Sequence, residues 1–329
     1  MDSVTQAVLG AAIGGAIAPR GSRRKALLAG AVLGTVPDLD VFIDYGGAVD
    51  NFTYHRGFSH SLLVLTPFSV LLWLILRRWW AAVRDAPYRW LALIVLALVT
   101  HPLLDAHTAY GTQLFWPFEP HPTMWATLFI IDPLYTLPLL AAVLIAAIRP
   151  YALSSSIVLR SALAVSTFYI AWSWMAHGIV KQNVEQALAN SKLADAPVFL
   201  TPTPFNTVLW RAVVMTENGY LEGFDSLLVD EGPMKFEAYP TNRQALDDAS
   251  NIWAVERLRW FSQDFIKATV VDKRLLLADL RMGREPAYVF TYVVAARGNP
   301  HWKAVPTEAL PISLEKRMLS ETWRRIWSE

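Results

Sequence analysis

The sequence predicts a mainly α, polytopic membrane helical bundle followed by a C-terminal α+β extramembrane domain. Hydrophobic residues make up 54% of the 329 residues and charged residues only 17%, against roughly 25% charged residues in soluble proteins. Charged residues are sparse and clustered up to about residue 180 and evenly spread after it. We therefore predict a membrane domain over residues 1–180 and a soluble domain over residues 181–329.

Four apolar stretches predict long transmembrane helices, at residues 61–76, 90–104, 124–148 and 161–180. The first two are short against the norm of about 20 residues, so they must extend into flanking residues or lie where the bilayer is thin. Residues 3–19 and 26–37 are rich in Gly and Ala and predict a packed hairpin of short helices. This hairpin either spans the membrane in part or is buried in protein without facing lipid.

Basic residues predict the orientation of the helices in the membrane. They cluster in residues 20–25, 77–89 and 149–160, and the positive-inside rule assigns these loops to the cytoplasm. The connections at residues 37–61 and 101–125, together with the C-terminal domain, are then extracytoplasmic. We expect a multi-pass protein of the bacterial inner (cytoplasmic) membrane.

Composition excludes some kinds of function. The chain has no cysteine, which removes disulfides, thiolate metal sites and cysteine nucleophiles. Its net charge of +1 gives no reason to expect nucleic acid as a partner. The lipid bilayer is the one partner that the apolar segments require.

Five of the seven histidines lie between residues 55 and 121, in or beside the membrane domain, where ionisable groups indicate function. His101 and Asp105 are four residues apart at the end of an apolar helix and so share one face. His60 is expected to open the next apolar helix with Ser59 as its N-cap. The remaining candidates are Asp38 and Asp40, which follow the second short helix.

Imidazole and carboxylate ligands without thiolate suit Zn²⁺, Mn²⁺ or Fe²⁺. We therefore predict a divalent metal, zinc first, with a ligand set drawn from the following residues: Asp38, Asp40, His60, His101 and Asp105. Each signal alone has an ordinary explanation, as a polar helix end, an interfacial histidine or a helix-surface pair. Their convergence on one predicted membrane face favours the metal site.

Further polar residues extend the candidate set. We predict catalytic roles for three residues: His55 as an acid/base or a further ligand, Arg56 as a contact for a phosphate oxygen or a partner of an aspartate, and Asp40. Asp132 precedes Pro133 early in its predicted span and should face the bundle interior; bonding of backbone groups at a helix kink is the alternative.

Four motifs together resemble the YdjM-type family of bacterial inner-membrane proteins. They are MDSVTQAVLGAAIG at the start, GTVPDLD, YHRGFSHS and THPLLDAHTAYGTQLFWPF, and they cover about residues 1–135. Members of the family are described as metal-dependent hydrolases, so the resemblance implies that activity. TPTPFNTVLWR and LADLRMG look like longer members that carry a C-terminal domain. Gln6 stands where some members of that family carry His, and it is not counted as a ligand.

A more distant similarity is to zinc-dependent phospholipase C and the P1-type nucleases. In these an Asp, a His and a His-x-x-x-Asp help to hold a zinc cluster, and Asp38 or Asp40, His60 and the His101/Asp105 pair occur here in that order. The later His and Glu ligands of that group have no clear counterpart, although His107 and His121 are available. The similarity implies a phosphoester substrate.

After residue 180 the sequence predicts a small domain with a mainly antiparallel sheet. Residues 181–193 should continue the last helix, residues 207–215, 220–229, 275–279 and 287–296 should form strands, and residues 248–261 a helix. No metal or nucleophile motif occurs there.

These observations predict a membrane-embedded hydrolase that uses metal-activated water, acting on a phosphoester or a lipid-like or envelope substrate at the extracytoplasmic face. The alternative is a non-catalytic membrane protein that uses the same cluster for metal sensing, structure or transport.

Overall fold

The computed structural model describes residues 1–118, 120–312 and 316–328. Contacts between residues divide the chain into two compact units, each built from several segments. The first unit contains Met1–Phe42, Arg56–Thr108 and Thr112–Ser173, and the second contains Ile43–His55, Ala109–Gly111 and Trp174–Glu329. The domain boundary predicted at residue 180 stays a prediction.

The described helices, in chain order, are α1 (Ser3–Ile17), α2 (Arg23–Thr35), α3 (Ala48–Tyr54), α4 (Leu62–Trp79), α5 (Ala81–Asp85), α6 (Pro87–Asp105), α7 (Pro133–Ile148), α8 (Leu153–Leu188), α9 (Arg243–Asp248), α10 (Trp253–Ser262) and α11 (Lys316–Arg325). Short 3₁₀ segments at Arg20–Ser22, Pro37–Phe42 and Phe58–His60 connect them.

Helix α1 lies at the centre of the first unit, packed against α2, α6 and α7. Asp2 caps its N-terminus by accepting hydrogen bonds from the backbone of Val4 and Thr5. Glycines permit the contact with α2: a Cβ added to Gly10 or Gly30 would collide with the backbone of the other. The predicted small-residue hairpin is therefore a close backbone-to-backbone pair.

Three described helices are long and apolar enough to cross a membrane: α4, α6 and α8. The fourth predicted span, at residues 124–148, is helical only from Pro133, and its 16 residues cover about 24 Å of a core about 30 Å thick. The helix starts late because Asp132 caps it, accepting bonds from Leu134 and Tyr135, and Pro133 suits the first helical position. Asp132 is therefore buried as an N-cap.

The chain between α6 and α7 is irregular but bonded to the helical unit. Trp125 and Leu128 donate their backbone N–H groups to the carbonyls of Ala106 and His107, which explains why the predicted helix does not begin at residue 124. An isolated bridge pairs Thr112 with Thr123. Such backbone is tolerated at membrane depth only where protein satisfies its polar groups.

The described strands of the second unit are β1 (Val198–Pro202), β2 (Leu209–Met215), β3 (Gly219–Ser226), β4 (Phe236–Pro240), β5 (Ile266–Val271), β6 (Arg274–Asp279), β7 (Gly283–Arg284), β8 (Ala287–Tyr288), β9 (Thr291–Arg297) and β10 (Trp302–Ala309). They form two four-stranded antiparallel sheets, in the orders β1-β2-β3-β4 and β10-β9-β6-β5, and a two-stranded pair β7-β8.

Two apolar clusters hold the second unit together. One joins the end of α8 to the first sheet through Val184 and Trp210. The other joins α3 and α10 to the second sheet through Phe52, Phe261 and Tyr292. The structure confirms a helical N-terminal region and a sheet-rich C-terminal region. It divides the strand predicted at residues 287–296 into β8 and β9 and adds β1, β4, β5, β7 and β10.

Candidate metal centre

Three segments of the first unit bring the predicted metal ligands to one place. The 3₁₀ segment Pro37–Phe42 follows α2 directly and carries Asp38, while the segment Phe58–His60 carries His60 just before α4. His101 and Asp105 occupy the last turns of α6, four residues apart. Both 3₁₀ segments contact each other and the first also contacts α6, so all four side chains meet at one end of the helical unit.

Four ligand atoms converge within this group, all within 4.8 Å of one another. The Nε2 atoms of His60 and His101 are 3.1 Å apart. Asp105 Oδ2 lies 3.1 Å from His60 Nε2 and 3.4 Å from His101 Nε2. Asp38 Oδ1 lies 3.5 Å and 3.3 Å from the same two nitrogens. His60, His101 and Asp105 are fully buried, and the Asp38 side chain is 18% exposed.

Hydrogen bonds on the far side of each imidazole fix which nitrogen carries the proton. His101 Nδ1 lies 2.6 Å from the carbonyl oxygen of Gly34, which can only accept, so Nδ1 is the donor. Ser59 Oγ donates to Asp40 Oδ2 at 2.6 Å and lies 2.9 Å from His60 Nδ1; its proton is used on Asp40, which leaves His60 Nδ1 as a donor. In their neutral forms both rings therefore turn an Nε2 lone pair toward the group.

The group thus concentrates lone pairs and two carboxylates, and the positive charge of Arg56 lies beside it, with Nε 3.4 Å from Asp105 Oδ2. Asp105 Oδ2 is buried and accepts no hydrogen bond from the described residues, and a buried carboxylate oxygen in that state is costly. Either a proton on an imidazole or a bound cation would offset the charge. In a tetrahedral zinc site with bonds of about 2.0–2.2 Å, ligand atoms lie about 3.3–3.6 Å apart. The residues present therefore fit a divalent metal.

Asp38 differs from the other three members because solvent reaches it. Burial alone would raise the pKa of Asp38, but the hydrogen bonds that His101 and His60 donate from Nε2 when they are protonated outweigh this and lower its pKa. Asp38 is therefore ionised, as a metal ligand must be.

Asp40 lies behind His60 and outside the group of four. Its carboxylate accepts hydrogen bonds from the backbone N–H of Arg56 at 2.9 Å and from Ser59 Oγ, and it stands 3.9 Å from His60 Nδ1. Ser59 was expected to cap α4, but Ser61 does so, accepting a bond from Leu63. Ser59 is free for the Asp40–His60 connection because α4 begins two residues later than predicted, at Leu62.

Asp105 has a second set of partners on its other oxygen. Gln6 Nε2 donates to Asp105 Oδ1 at 3.0 Å and to the His101 carbonyl at 3.1 Å, and the N-terminal ammonium of Met1 forms an ion pair with Oδ1. Gln6 Oε1 is buried without a hydrogen-bond partner in the described part of the chain. Gln6 therefore orients the carboxylate and the end of α6.

Arg56 borders the group and has an unusual backbone. Its Nε lies 3.4 Å from Asp105 Oδ2 and its Nη1 is 3.3 Å from Thr108 Oγ1. Pairing of its side chain with Asp38 or Asp40, or with a phosphate oxygen, stays a prediction. Its φ of 60° is rare for a non-glycine residue and costs about 1–3 kcal/mol. Asp40 accepts its N–H and Gln113 donates to its carbonyl at 3.0 Å, which holds this conformation.

The other predicted histidines lie outside the group of four. His55 belongs to the second unit, where its ring packs edge-on against Tyr110; its role as ligand or acid/base stays a prediction. His107 Nδ1 lies 2.9 Å from the Leu103 carbonyl oxygen, which can only accept, so Nδ1 carries the proton and donates it. Burial lowers the pKa of His107. His121 is exposed.

The basic loops lie at the opposite end of the first unit from this group. Buried Arg23 donates to the carbonyls of Pro150 and Ala152, and Arg24 donates to that of Ala147. Helix α6 starts at Pro87, so the rise along the helix separates the loop before it from His101 by about 21 Å and from Asp105 by about 27 Å.

The fold and the site define a class of protein: a helical membrane protein with a buried group of two imidazoles and two carboxylates at one end of its helical unit. The chain belongs to the YdjM inner membrane protein family, whose sequence model matches residues 1–180. All four members of the group lie within that matched region.

Two relatives were found among curated proteins. Inner membrane protein YbcI of Escherichia coli (strain K12) is 35% identical over 114 residues, which cover 34% of this chain and 64% of that protein. Uncharacterized protein YfhP of Bacillus subtilis (strain 168) is 31% identical over 155 residues, 44% of this chain and 46% of that protein. The chain therefore matches less than two thirds of the length of each. No solved structure matches it.

Proposed function

We propose that this protein is a metal-dependent hydrolase of the inner membrane. The observation that carries the proposal is the convergence of four ligand atoms within 4.8 Å, one of them a buried carboxylate oxygen with no hydrogen-bond donor among the described residues. Arg56 Nε approaches this oxygen at 3.4 Å, and a bound cation would add the stabilisation that two carboxylates and two imidazoles in one place require. Destabilised groups of this kind concentrate at functional sites.

Asp38, His60, His101 and Asp105 would hold the ion. A bound divalent metal supplies Lewis-acid polarisation and lowers the pKa of water at the site. Asp40 and Ser59 hold His60 in the tautomer that presents Nε2, and Gln6 orients Asp105. Mutation of a residue that orients a metal ligand in this way commonly weakens metal binding by about 10–100-fold.

Arg56 would bind an anionic oxygen of the substrate. Its guanidinium Nε stands 3.4 Å from Asp105 Oδ2, and its left-handed backbone is fixed by two hydrogen bonds. A guanidinium presents planar donors that match a phosphate. His55 remains a candidate acid/base by its place in the sequence motif.

A lipid-like phosphoester is the substrate class that the surroundings favour. The segments that carry Asp38 and His60 also expose large apolar side chains, at Leu39, Val41, Phe42 and Phe58. Exposed apolar groups beside a polar site suit an amphiphilic substrate or a membrane interface. The distant similarity to zinc-dependent phospholipase C points to the same chemistry.

The extracytoplasmic side is the proposed location of the site and of the second unit. Basic residues mark the cytoplasmic end of a membrane bundle, and here Arg23 and Arg24 pack at the end of the first unit opposite His101 and Asp105.

A structural or sensing metal is the second candidate function. Four protein ligands are typical of closed structural sites, whereas catalytic sites keep one position for water or substrate. Transport is less favoured, because the part of α6 that precedes His101 buries apolar residues: Leu93, Ile94, Ala97 and Leu98. A transport path would need polar groups along its length.

Elemental analysis of detergent-purified protein tests the metal. Wild type should contain about one equivalent of zinc or manganese, and the His101→Ala/Asp105→Ala double variant should contain none. His107→Ala is the matched control, since it removes a partly buried histidine two residues beyond Asp105 and should retain the metal. No metal in wild type after reloading would overturn the proposal.

Hydrolysis is tested separately on the metal-loaded protein in nanodiscs, with phospholipids and bis(4-nitrophenyl) phosphate as substrates. Metal-dependent turnover that disappears in the double variant supports the hydrolase. Stoichiometric metal with no turnover on either substrate class, together with loss of stability when the metal is removed, would favour the structural site.

A further inference from the structure

The second unit carries an exposed apolar surface that the proposed hydrolase does not use. It is formed by Phe205, Leu319, Trp323 and Trp327, which are 42%, 47%, 54% and 61% exposed. We name these four residues the aromatic patch. A groove of about 460 Å³ is lined by three of them, Phe205, Leu319 and Trp323, and also by Ser320 and Arg324. Clustered exposed side chains of this size mark interaction sites in soluble domains.

Helix α11 presents two of these residues on one face. Leu319 and Trp323 are four residues apart, the spacing that places side chains on one helix face, and Trp327 follows two residues after the helix ends at Arg325. The chain is fastened to the second unit just beyond the helix: Ile326 is buried, and its carbonyl accepts a bond from Ser226 Oγ at 2.8 Å. The aromatic patch is therefore held in a fixed orientation, facing away from the core.

Ion pairs strengthen this attachment. Arg325 pairs with Asp230 at 2.5 Å, and Arg284 pairs with Glu321 at 3.0 Å. The second pair is supported by a bond from Arg284 to the Met318 carbonyl at 3.3 Å. Charged residues on one side of α11 are thus used to hold it, while the aromatic patch on the other side remains exposed.

Phe205 joins the patch from a separate loop in a strained conformation. Its φ is 67°, which L-residues other than glycine rarely adopt. The next residue, Asn206, builds the turn: its Oδ1 accepts from Val208 and Leu209, and its Nδ2 donates to Thr203 Oγ1 at 3.0 Å. The loop is therefore rigidly built, and it displays an aromatic ring on the surface despite the backbone strain, which indicates a function.

We infer that the aromatic patch docks on the surface of the lipid bilayer. Tryptophan beside arginine is the composition of interfacial anchors, in which the ring enters the headgroup region and the cation meets anionic lipid. Exposed Arg324 lies between Trp323 and Trp327 in the chain and supplies that charge. Anionic headgroups attract such side chains over about one Debye length.

The lipid surface is also the partner that this unit meets continuously. Helix α8 begins in the first unit and ends in the second, so the second unit is covalently tethered to the membrane domain. A compact domain of roughly 150 residues has a radius of gyration of about 15 Å. A patch on its surface therefore stays within a few tens of ångströms of lipid. The effective concentration of lipid is then high enough for a patch of weak affinity to remain bound.

Single spin labels test this inference in the full chain, which has no cysteine to remove. Ser320→Cys places a label in the groove of the aromatic patch, and Ser250→Cys is the matched control on an exposed position of the same unit. Collision rates with oxygen and with a water-soluble nickel chelate are measured in nanodiscs that contain phosphatidylglycerol.

Docking predicts that the Ser320→Cys label collides several-fold less with nickel than the Ser250→Cys label does, while its collisions with oxygen rise. Equal nickel collision rates at the two positions would overturn the inference in favour of a solvated surface. A label shielded from both reagents would also overturn it and indicate a protein in the groove, including a second copy of this chain.

A second variant separates docking from folding. Trp323→Glu, combined with Ser320→Cys, should restore nickel collisions at the label while leaving the thermal unfolding midpoint within a few degrees of the single-label protein. Unchanged shielding in this variant would contradict the inference. The metal content is not expected to change, so this test stands apart from the metal-centre experiments.

Discussion

The imidazoles of His60 and His101 face each other through their Nε2 atoms, 3.1 Å apart. Each ring is bonded on its far side, one to Ser59 and the other to the Gly34 carbonyl, so neither can turn away without breaking a hydrogen bond. Two carboxylate oxygens complete the group. This close approach of lone pairs and negative charge is the reason to expect a bound cation there. Four predictions test the metal site and the helix packing that forms it.

Removing the charge of Asp105 should abolish metal binding. Asp105→Asn preserves the shape of the side chain but leaves an amide where an anionic ligand stood. Mutating residues that only hydrogen-bond to metal ligands weakens metal binding by up to about 100-fold, so loss of a ligand should weaken it by more than about 100-fold. Competition with a chelator measures it. Asp132→Asn is the matched control: Asp132 is equally buried, and Asn also caps helices well, so its metal affinity should be unchanged.

Ser59 should matter for the metal, and its neighbour Ser61 for the helix. Ser59→Ala breaks the Asp40–Ser59–His60 connection, so we expect about 10–100-fold weaker metal binding. Ser61→Ala removes the N-cap of α4 and should cost about 1 kcal/mol of stability with little change in affinity. Equal effects of the two variants on metal affinity would contradict the positioning role of Ser59.

Arg56 should affect substrate and not metal. Arg56→Lys retains the positive charge but loses the planar donors, so kcat/KM for a phosphoester should fall by about 10–100-fold, the equivalent of about 1.5–3 kcal/mol for a charged hydrogen bond. Metal content measured on the same preparation should stay at the wild-type level. Loss of the metal in this variant would instead assign Arg56 to the structure of the ligand group.

The close contact of α1 and α2 should tolerate no added methyl group. Gly30→Ala places a Cβ against the carbonyl oxygen of Gly10, and such overpacking costs about 1–3 kcal/mol or more. Thermal unfolding in detergent, followed by tryptophan fluorescence, measures it. Gly178→Ala is the matched control in α8, where a Cβ meets nothing within 4 Å and helix propensity predicts a gain of up to about 1 kcal/mol.

Much of the site could be predicted because its spacing is local. His101 and Asp105 are one helical turn apart in an apolar segment, and the periodicity of the helix alone places them on one face. Asp38 and His60 were also predicted as ligands, and the structure brings both into the group of four. Asp40 was predicted with them, but its carboxylate accepts hydrogen bonds from Arg56 and Ser59, and its role as a ligand stays a prediction.

Other parts of the site depend on contacts between distant segments. Ser59 was assigned to a helix cap, because the sequence does not show that α4 starts at Leu62. The contact of Gln6 with Asp105 crosses 99 residues, and nothing in the local sequence indicates it beyond the presence of an amide in an apolar helix. The late start of α7 follows from backbone bonds of Trp125 and Leu128 to the end of α6, which also lie beyond any local pattern.

The sequence by itself determined that this is a membrane protein with a sheet-rich C-terminal region, its family, and the residue types available for a metal, because hydropathy and helical spacing act over one turn or one span. Only the tertiary structure decided which oxygen of Asp105 faces the imidazoles, which serine orients His60, and that Phe205 and α11 share one exposed surface. Those choices depend on hydrogen bonds and packing between segments far apart in the chain, where the backbone of one segment satisfies the polar groups of another.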